Sequence, residues 1–223
     1  MFHILHIPKT GGTAVRVALG GLPRGVFHCG GHMARLTDVP AGETVVFGIR
    51  DPISRFVSGF NSKLRKGQPR NHVEWTPVQQ EGFARFPNPN SLAEGLSDRN
   101  FAVREWASRL IRDMFHTGVP LSFWFDSVDY LRSRRADIGF IWLQGELPSD
   151  FELMKPALGL PADLRLPTDP VGSHVTPPGF ETDVSDLAIA NLAGWYRGEF
   201  AFFEAAQRMR AETIERLAGA PAV

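Results

Sequence analysis

The sequence predicts an α/β fold built on a mostly parallel sheet. Three observations carry this. The runs FHILHI (2–7), TVVFGIR (44–50) and IGFIWLQ (138–144) are apolar, rich in β-branched and aromatic residues, and of strand length. Each is followed by a helix-start signal or by apolar residues at helical spacing. Strands that alternate with helices pair in parallel, because a parallel neighbour needs a crossover connection.

The elements follow in order. The first run stops at Pro8, and after the turn KTGG a helix is expected from Gly12 to Leu19. GVFH (25–28) reads as a second strand and TVVFGIR as a stronger one. Asp51 is then a helix cap and Pro52 suits a first helical turn, with Ile53, Phe56, Val57, Phe60 and Leu64 on one face. Residues 67–100 carry Gly, Pro, Asn and scattered aromatics (Trp75, Phe83, Phe86) with weak periodicity, which predicts a long surface excursion. Residues 99–115 read as helix, 138–144 as a core strand, and Pro148–Leu158 as a short helix. A Pro-rich loop over 159–181 leads to a helical pattern from Val184 to Leu217, broken at Gly194 or Gly198.

A chain of 223 residues fits one domain, spanning 1–223. A domain of this length buries roughly 70–75% of its unfolded surface. Lys plus Arg equals Asp plus Glu at 24 each, which argues against a general nucleic-acid or membrane binder. The single cysteine, Cys29, cannot form an intramolecular disulfide and reads as a small buried hydrophobe, which fits a reducing compartment. No apolar run is long enough to span a bilayer, and Met1 and Phe2 lead straight into the first strand, so the expected location is cytoplasmic.

Two stretches carry chemistry. In PKTGGT (8–13) a strand feeds a glycine-rich turn and a helix start, where unpaired N–H groups favour an anion. Lys9 adds a cation, Thr10 and Thr13 add hydroxyls, and Gly11 and Gly12 let the backbone approach a phosphate. It is not a Walker A loop, which places its lysine after the second glycine. In RDPISRFVSGF (50–60) Arg50 ends the strong strand, and Arg55 and Ser58 are neighbours on the following helix. Ligands of open parallel sheets bind beyond the carboxyl ends of the strands, so Lys9 and Arg50 stand at one edge. An arginine fork with a serine hydroxyl suits a second phosphate.

HIPKTGGT followed about forty residues later by IRDPISRFVSGF resembles the PAPS-dependent sulfotransferases, in particular the carbohydrate branch with the heparan and dermatan 2-O-sulfotransferases. The likeness covers roughly the first 65 residues. It implies a P-loop-NTPase-like three-layer sandwich, with Lys9, Thr10, Gly11, Gly12 and Thr13 holding the 5′-phosphosulfate and Arg50 and Ser58 the 3′-phosphate; Arg55 is a further candidate. It implies PAPS as co-substrate, no metal, and a hydroxyl acceptor on a carbohydrate or glycolipid, with residues 68–100 on the acceptor side. Trp75, Phe83 and Phe86 would stack on a sugar there or form a local mini-core.

In-line sulfuryl transfer needs a group for the leaving phosphate and a base for the acceptor proton. Lys9 suits the first. FHCGGHMARL offers His28 and His32 for the second. In the 2-O-sulfotransferases a Gly-His-apolar step after this strand carries the base; Gly31, His32 and Met33 match it, with His28 as helper or alternative. Asp38 and Glu43 are weaker candidates; His6 could point at the site, with packing the better reading. Lys63, Arg65, Lys66 and Arg70 form a basic run at a helix end. LRKG resembles the Arg-Lys-Gly nucleotide motif of cytosolic sulfotransferases but lies too early. The matching late loop DPVGSHVTPPG (169–179) lacks that motif and offers Ser173 and His174. Two other readings stay open: a phosphotransferase, which would need a Mg²⁺-binding Asp where only Asp51 is near, and a non-catalytic nucleotide-binding module.

Overall fold

The computed structural model describes residues 1–173 and 176–219. The strands are β1 (Phe2–Leu5), β2 (Phe27–Cys29), β3 (Thr44–Ile49) and β4 (Ile138–Leu143). The helices of the first half are α1 (Gly12–Ala18), α2 (Pro52–Leu64), α3 (Pro77–Arg85), α4 (Pro89–Gly95), α5 (Phe101–Asp113) and α6 (Phe115–Gly118). Those of the second half are α7 (Ser122–Phe125), α8 (Val128–Ser133), α9 (Leu147–Ala157), α10 (Pro170–Ser173), α11 (Asp186–Trp195) and α12 (Arg197–Ala218). Short 3₁₀ turns, among them Gly31–Met33 and Leu36–Asp38, join some of them. Among the described residues no helix is long and apolar enough to cross a membrane.

The chain forms two compact units. The first comprises Met1–Arg50, Leu121–His174 and Ala201–Val223. It holds a four-stranded, all-parallel sheet in the order β2-β1-β3-β4, as strands separated by helices should give. Strands β1, β3 and β4 are largely buried on both faces, which explains their near-continuous apolar runs, whereas β2 at the sheet edge is more exposed. On one face Phe2, Ile4, Val46, Phe140 and Trp142 pack with Ala14 and Val15 of α1 and Phe151 and Met154 of α9. On the other, the Phe47 ring lies 4.8 Å from Phe125 of α7, which stacks at 6.0 Å on Phe202 of α12. Helices thus flank the sheet on both sides, consistent with a three-layer sandwich.

The second unit, Asp51–Pro120 and Val175–Phe200, is helical. Asp51 caps α2 by accepting from the Ser54 N–H at 2.8 Å. Phe56, Val57 and Phe60, three of the five apolar residues expected on one face, are buried, and Ile53 and Leu64 pack beside them. Such side chains contribute about 1.5–3 kcal/mol each.

Residues 67–100 differ from the expected surface excursion. They contain α3 and α4, and Phe83, Phe86 and Leu92 lie in the second unit's core. Thr76 and Asn88 each close a capping box, with Gln79 and Ser91, ahead of a proline at the helix start. Short, cap-dependent helices have too few turns for apolar periodicity to register. Of the expected aromatics, Phe83 packs edge-on to Phe60 at 5.2 Å, and Trp75 tilts against Phe83 at 5.2 Å, which is the mini-core alternative. The helical break before the last helix falls at Tyr196, between the two glycines proposed for it.

Candidate functional site

The carboxyl ends of the parallel strands deliver the expected residues of the first unit. β1 ends at Leu5 and runs into the loop of Lys9; β2 ends at Cys29, ahead of His32; β3 ends at Ile49, and Arg50 follows. The loop is tightly specified. Lys9 adopts φ +71° and Gly11 φ +87°. For a lysine that left-handed conformation costs of order 1–3 kcal/mol and persists only where its surroundings impose it. The imposing contacts are visible. Trp142 of β4 donates its indole N–H to the Thr10 carbonyl at 2.7 Å, and Arg50 Nη1 donates to the Lys9 carbonyl at 3.3 Å. Gly48 makes the first of these possible, because a Cβ there would lie 2.1 Å from Trp142 Nε1.

Thr10 corrects one expectation. It is 2% exposed, and its hydroxyl donates to the Ile7 carbonyl at 2.9 Å. That proton shapes the turn and is not offered to a ligand. Thr13 is the hydroxyl that stands at the loop's outer side, half-buried, 3.4 Å from His6 Nε2.

The two candidate bases separate. The His32 ring packs against His6 with ring centres 4.2 Å apart and planes tilted by 37°, and its Nδ1 donates to the His6 carbonyl at 2.8 Å. A carbonyl only accepts, so the neutral ring carries its proton on Nδ1 and Nε2 is its basic nitrogen. Burial lowers the His32 pKa below its ordinary value; the His6 carbonyl opposes this, and the charges of Arg16 and Lys9 add to it. His32 is therefore neutral at pH 7 and sits within electrostatic reach of the Lys9 loop. His28, exposed at the end of β2, instead faces His3 edge-on at 5.7 Å, and His3 pairs with Glu43. Of the weaker carboxylate candidates, Glu43 is engaged there and Asp38 accepts from the Arg35 N–H at 2.8 Å. Cys29 is half-buried and packs against the core.

The second stretch divides between the units. Arg50 belongs to the first; Arg55 and Ser58 lie on α2 in the second. Arg55 is a correction: it is 4% exposed and pairs with the equally buried Glu199 at 3.3 Å. Its guanidinium balances a carboxylate inside the helical core. Burial lowers its pKa, while Glu199 raises it. Ser58 is 8% exposed, one helical turn further on. In the late loop, Asp169 accepts from the Gly172 N–H at 2.7 Å, while His174 lies outside the described residues.

Sequence reasoning missed the segment that holds the His32 loop. Trp124 donates its indole N–H to the His32 carbonyl at 2.8 Å, and Arg35 Nε donates to the Phe123 carbonyl at 2.7 Å. The sequence signal was SFWF, a four-residue helix too short to show a period. Two fully buried tryptophans, each with its N–H spent on a loop carbonyl, thus brace the two loops of the site. No family model, curated protein or solved structure matches this chain.

Proposed function

We propose that the chain is a sulfotransferase that moves a sulfuryl group from PAPS to a hydroxyl, on a carbohydrate or glycolipid type of acceptor. The observation that carries this reading is His32, its Nδ1 proton held by the His6 carbonyl and its ring packed against the residue that contacts Thr13 of the Lys9 loop. A base and a glycine-containing turn that carries a lysine then share one sheet edge, which is the pair of groups this reaction requires.

In the proposed step the acceptor oxygen attacks sulfur in line. The S–O bond to the 5′-phosphate breaks as the new O–S bond forms, and the acceptor proton passes to His32 Nε2. Lys9 stabilises the negative charge gathering on the leaving phosphate, and the Thr13 hydroxyl and loop N–H groups orient it. Arg50 supplies the charge for the 3′-phosphate.

The test is calorimetry with 3′-phosphoadenosine 5′-phosphate against ADP and ATP, without metal. Binding that requires the 3′-phosphate is expected. Lys9→Ala is expected to cut turnover by ~10²–10³, the size of losing one charge-stabilising donor, with a smaller loss of nucleotide affinity. A preference for ATP with Mg²⁺, or turnover unchanged in Lys9→Ala, would overturn the reading.

A further inference from the structure

We infer that His6 is the positioning residue of this site, setting the proton on His32 through its carbonyl and the direction of the Thr13 hydroxyl through its ring Nε2–H. The inference rests on the sulfotransferase reading for its catalytic consequence, though not for its geometry.

His6 follows directly after β1 and is 5% exposed, so it is a core residue by burial. It nevertheless touches both halves of the chemistry. Its carbonyl accepts from His32 Nδ1 at 2.8 Å, and its ring lies 4.2 Å from the His32 ring. Its Nε2 is 3.4 Å from Thr13 Oγ1. The loop is built around the ring: a Cβ on Gly12 would lie 2.6 Å from His6 Cδ2. This assigns the second glycine of KTGG a role beyond backbone approach to a ligand, because any side chain there would displace the imidazole.

The proton assignment follows from donor counting. A threonine hydroxyl has one proton and two lone pairs. If it is to donate to an anionic ligand in the loop, the bond from His6 must run from Nε2–H into the Thr13 oxygen. His6 is then an Nε2-protonated ring and His32 an Nδ1-protonated one: two imidazoles in tilted contact, of opposite tautomer. The charges of Lys9 in the loop and Arg16 on α1 both favour a neutral His32. From α7, Trp124 holds the His32 carbonyl and brings no charge.

The first measurement uses the unmodified chain. Long-range ¹H–¹⁵N correlation of ¹⁵N-histidine-labelled protein at pH 7.5 is expected to show His6 protonated on Nε2 and His32 on Nδ1, both neutral. Nδ1-protonated or charged His6 overturns the assignment. Two variants test the consequence. His6→Phe keeps a stacked ring and loses the donor, and is expected to weaken binding of 3′-phosphoadenosine 5′-phosphate about tenfold, the worth of one hydrogen bond. His6→Gln keeps a donor and loses the ring. It is expected to hold affinity within about threefold, within the smallest worth of a hydrogen bond. It should also move the acidic limb of the kcat/KM profile to higher pH, because His32 becomes better solvated and its pKa returns toward its ordinary value. A limb unmoved in His6→Gln, with affinity unchanged in His6→Phe, overturns the positioning role. Wild type that shows the expected tautomers but binds no 3′-phosphoadenosine nucleotide sinks the sulfotransferase reading and leaves the His6 assignment supported.

Discussion

The candidate site of the first unit and the helical core of the second handle polar groups in different ways. At that sheet edge most of the bracing is neutral: the His6 carbonyl accepts from His32, and the carbonyls of Thr10 and His32 accept from the indole N–H groups of Trp142 and Trp124, with Arg50 on the Lys9 carbonyl the charged exception. In the second, a charged pair is turned inward, with Arg55 and Glu199 both nearly inaccessible. One stretch of eleven residues, RDPISRFVSGF, passes from one regime to the other. Its first arginine ends a strand and braces the Lys9 loop; its second, five residues on, is a core ion pair. Neutral bracing positions groups without cancelling their charge, whereas ion pairing spends the charge on the fold.

The contrast can be broken most strongly at Glu199. Glu199→Ala leaves the Arg55 guanidinium without its carboxylate and is expected to cost about 3–5 kcal/mol of stability, whereas replacing both residues by methionine is expected to recover most of it. Denaturant unfolding of the two variants checks this; a single-variant loss below about 1 kcal/mol, the scale of an exposed pair, would mean that Arg55 is not committed to the core. Next in size is Gly48→Ala. The added Cβ meets both Trp142 Nε1 at 2.1 Å and the Thr10 carbonyl at 2.6 Å, and the second contact is backbone, so the loop itself must shift. A loss of about 1–3 kcal/mol is expected, with a changed near-ultraviolet signal from tryptophan. An unchanged signal with full stability would remove Trp142 as the brace of the Lys9 loop.

The smallest effect sharpens the comparison through pH. The His32 pKa is lowered in the folded state, so the unfolded chain binds more protons in the interval below about 6.5. Stability is therefore expected to fall as pH drops from 7 through that interval, and to hold above it. His32→Gln should flatten this slope; an equal slope in the variant would place the titrating group elsewhere.

What was legible in the sequence had a local cause. Apolar runs of strand length marked β1, β3 and β4, and the Asp51-Pro52 start with residues at helical spacing marked α2. The glycine-flanked turn after β1 and the Gly-His step after β2 placed Lys9 and His32 on loops leaving the carboxyl ends of adjacent strands. The capped helices of 67–100 were less legible, since their signal lies in two boxes of four residues and not in a period.

By itself, then, the sequence determined the alternation of strands and helices, the parallel sheet, and which loops leave the carboxyl ends of its strands, because these follow from spacing along one chain. Only the tertiary structure decided what each polar side chain does. That Arg55 pairs across 144 positions with Glu199, that Thr10 spends its proton on the turn, and that the His6 ring packs against His32 depend on partners brought together by packing. A hydrogen bond or ion pair is a statement about two groups in space, and local propensity holds no record of the second.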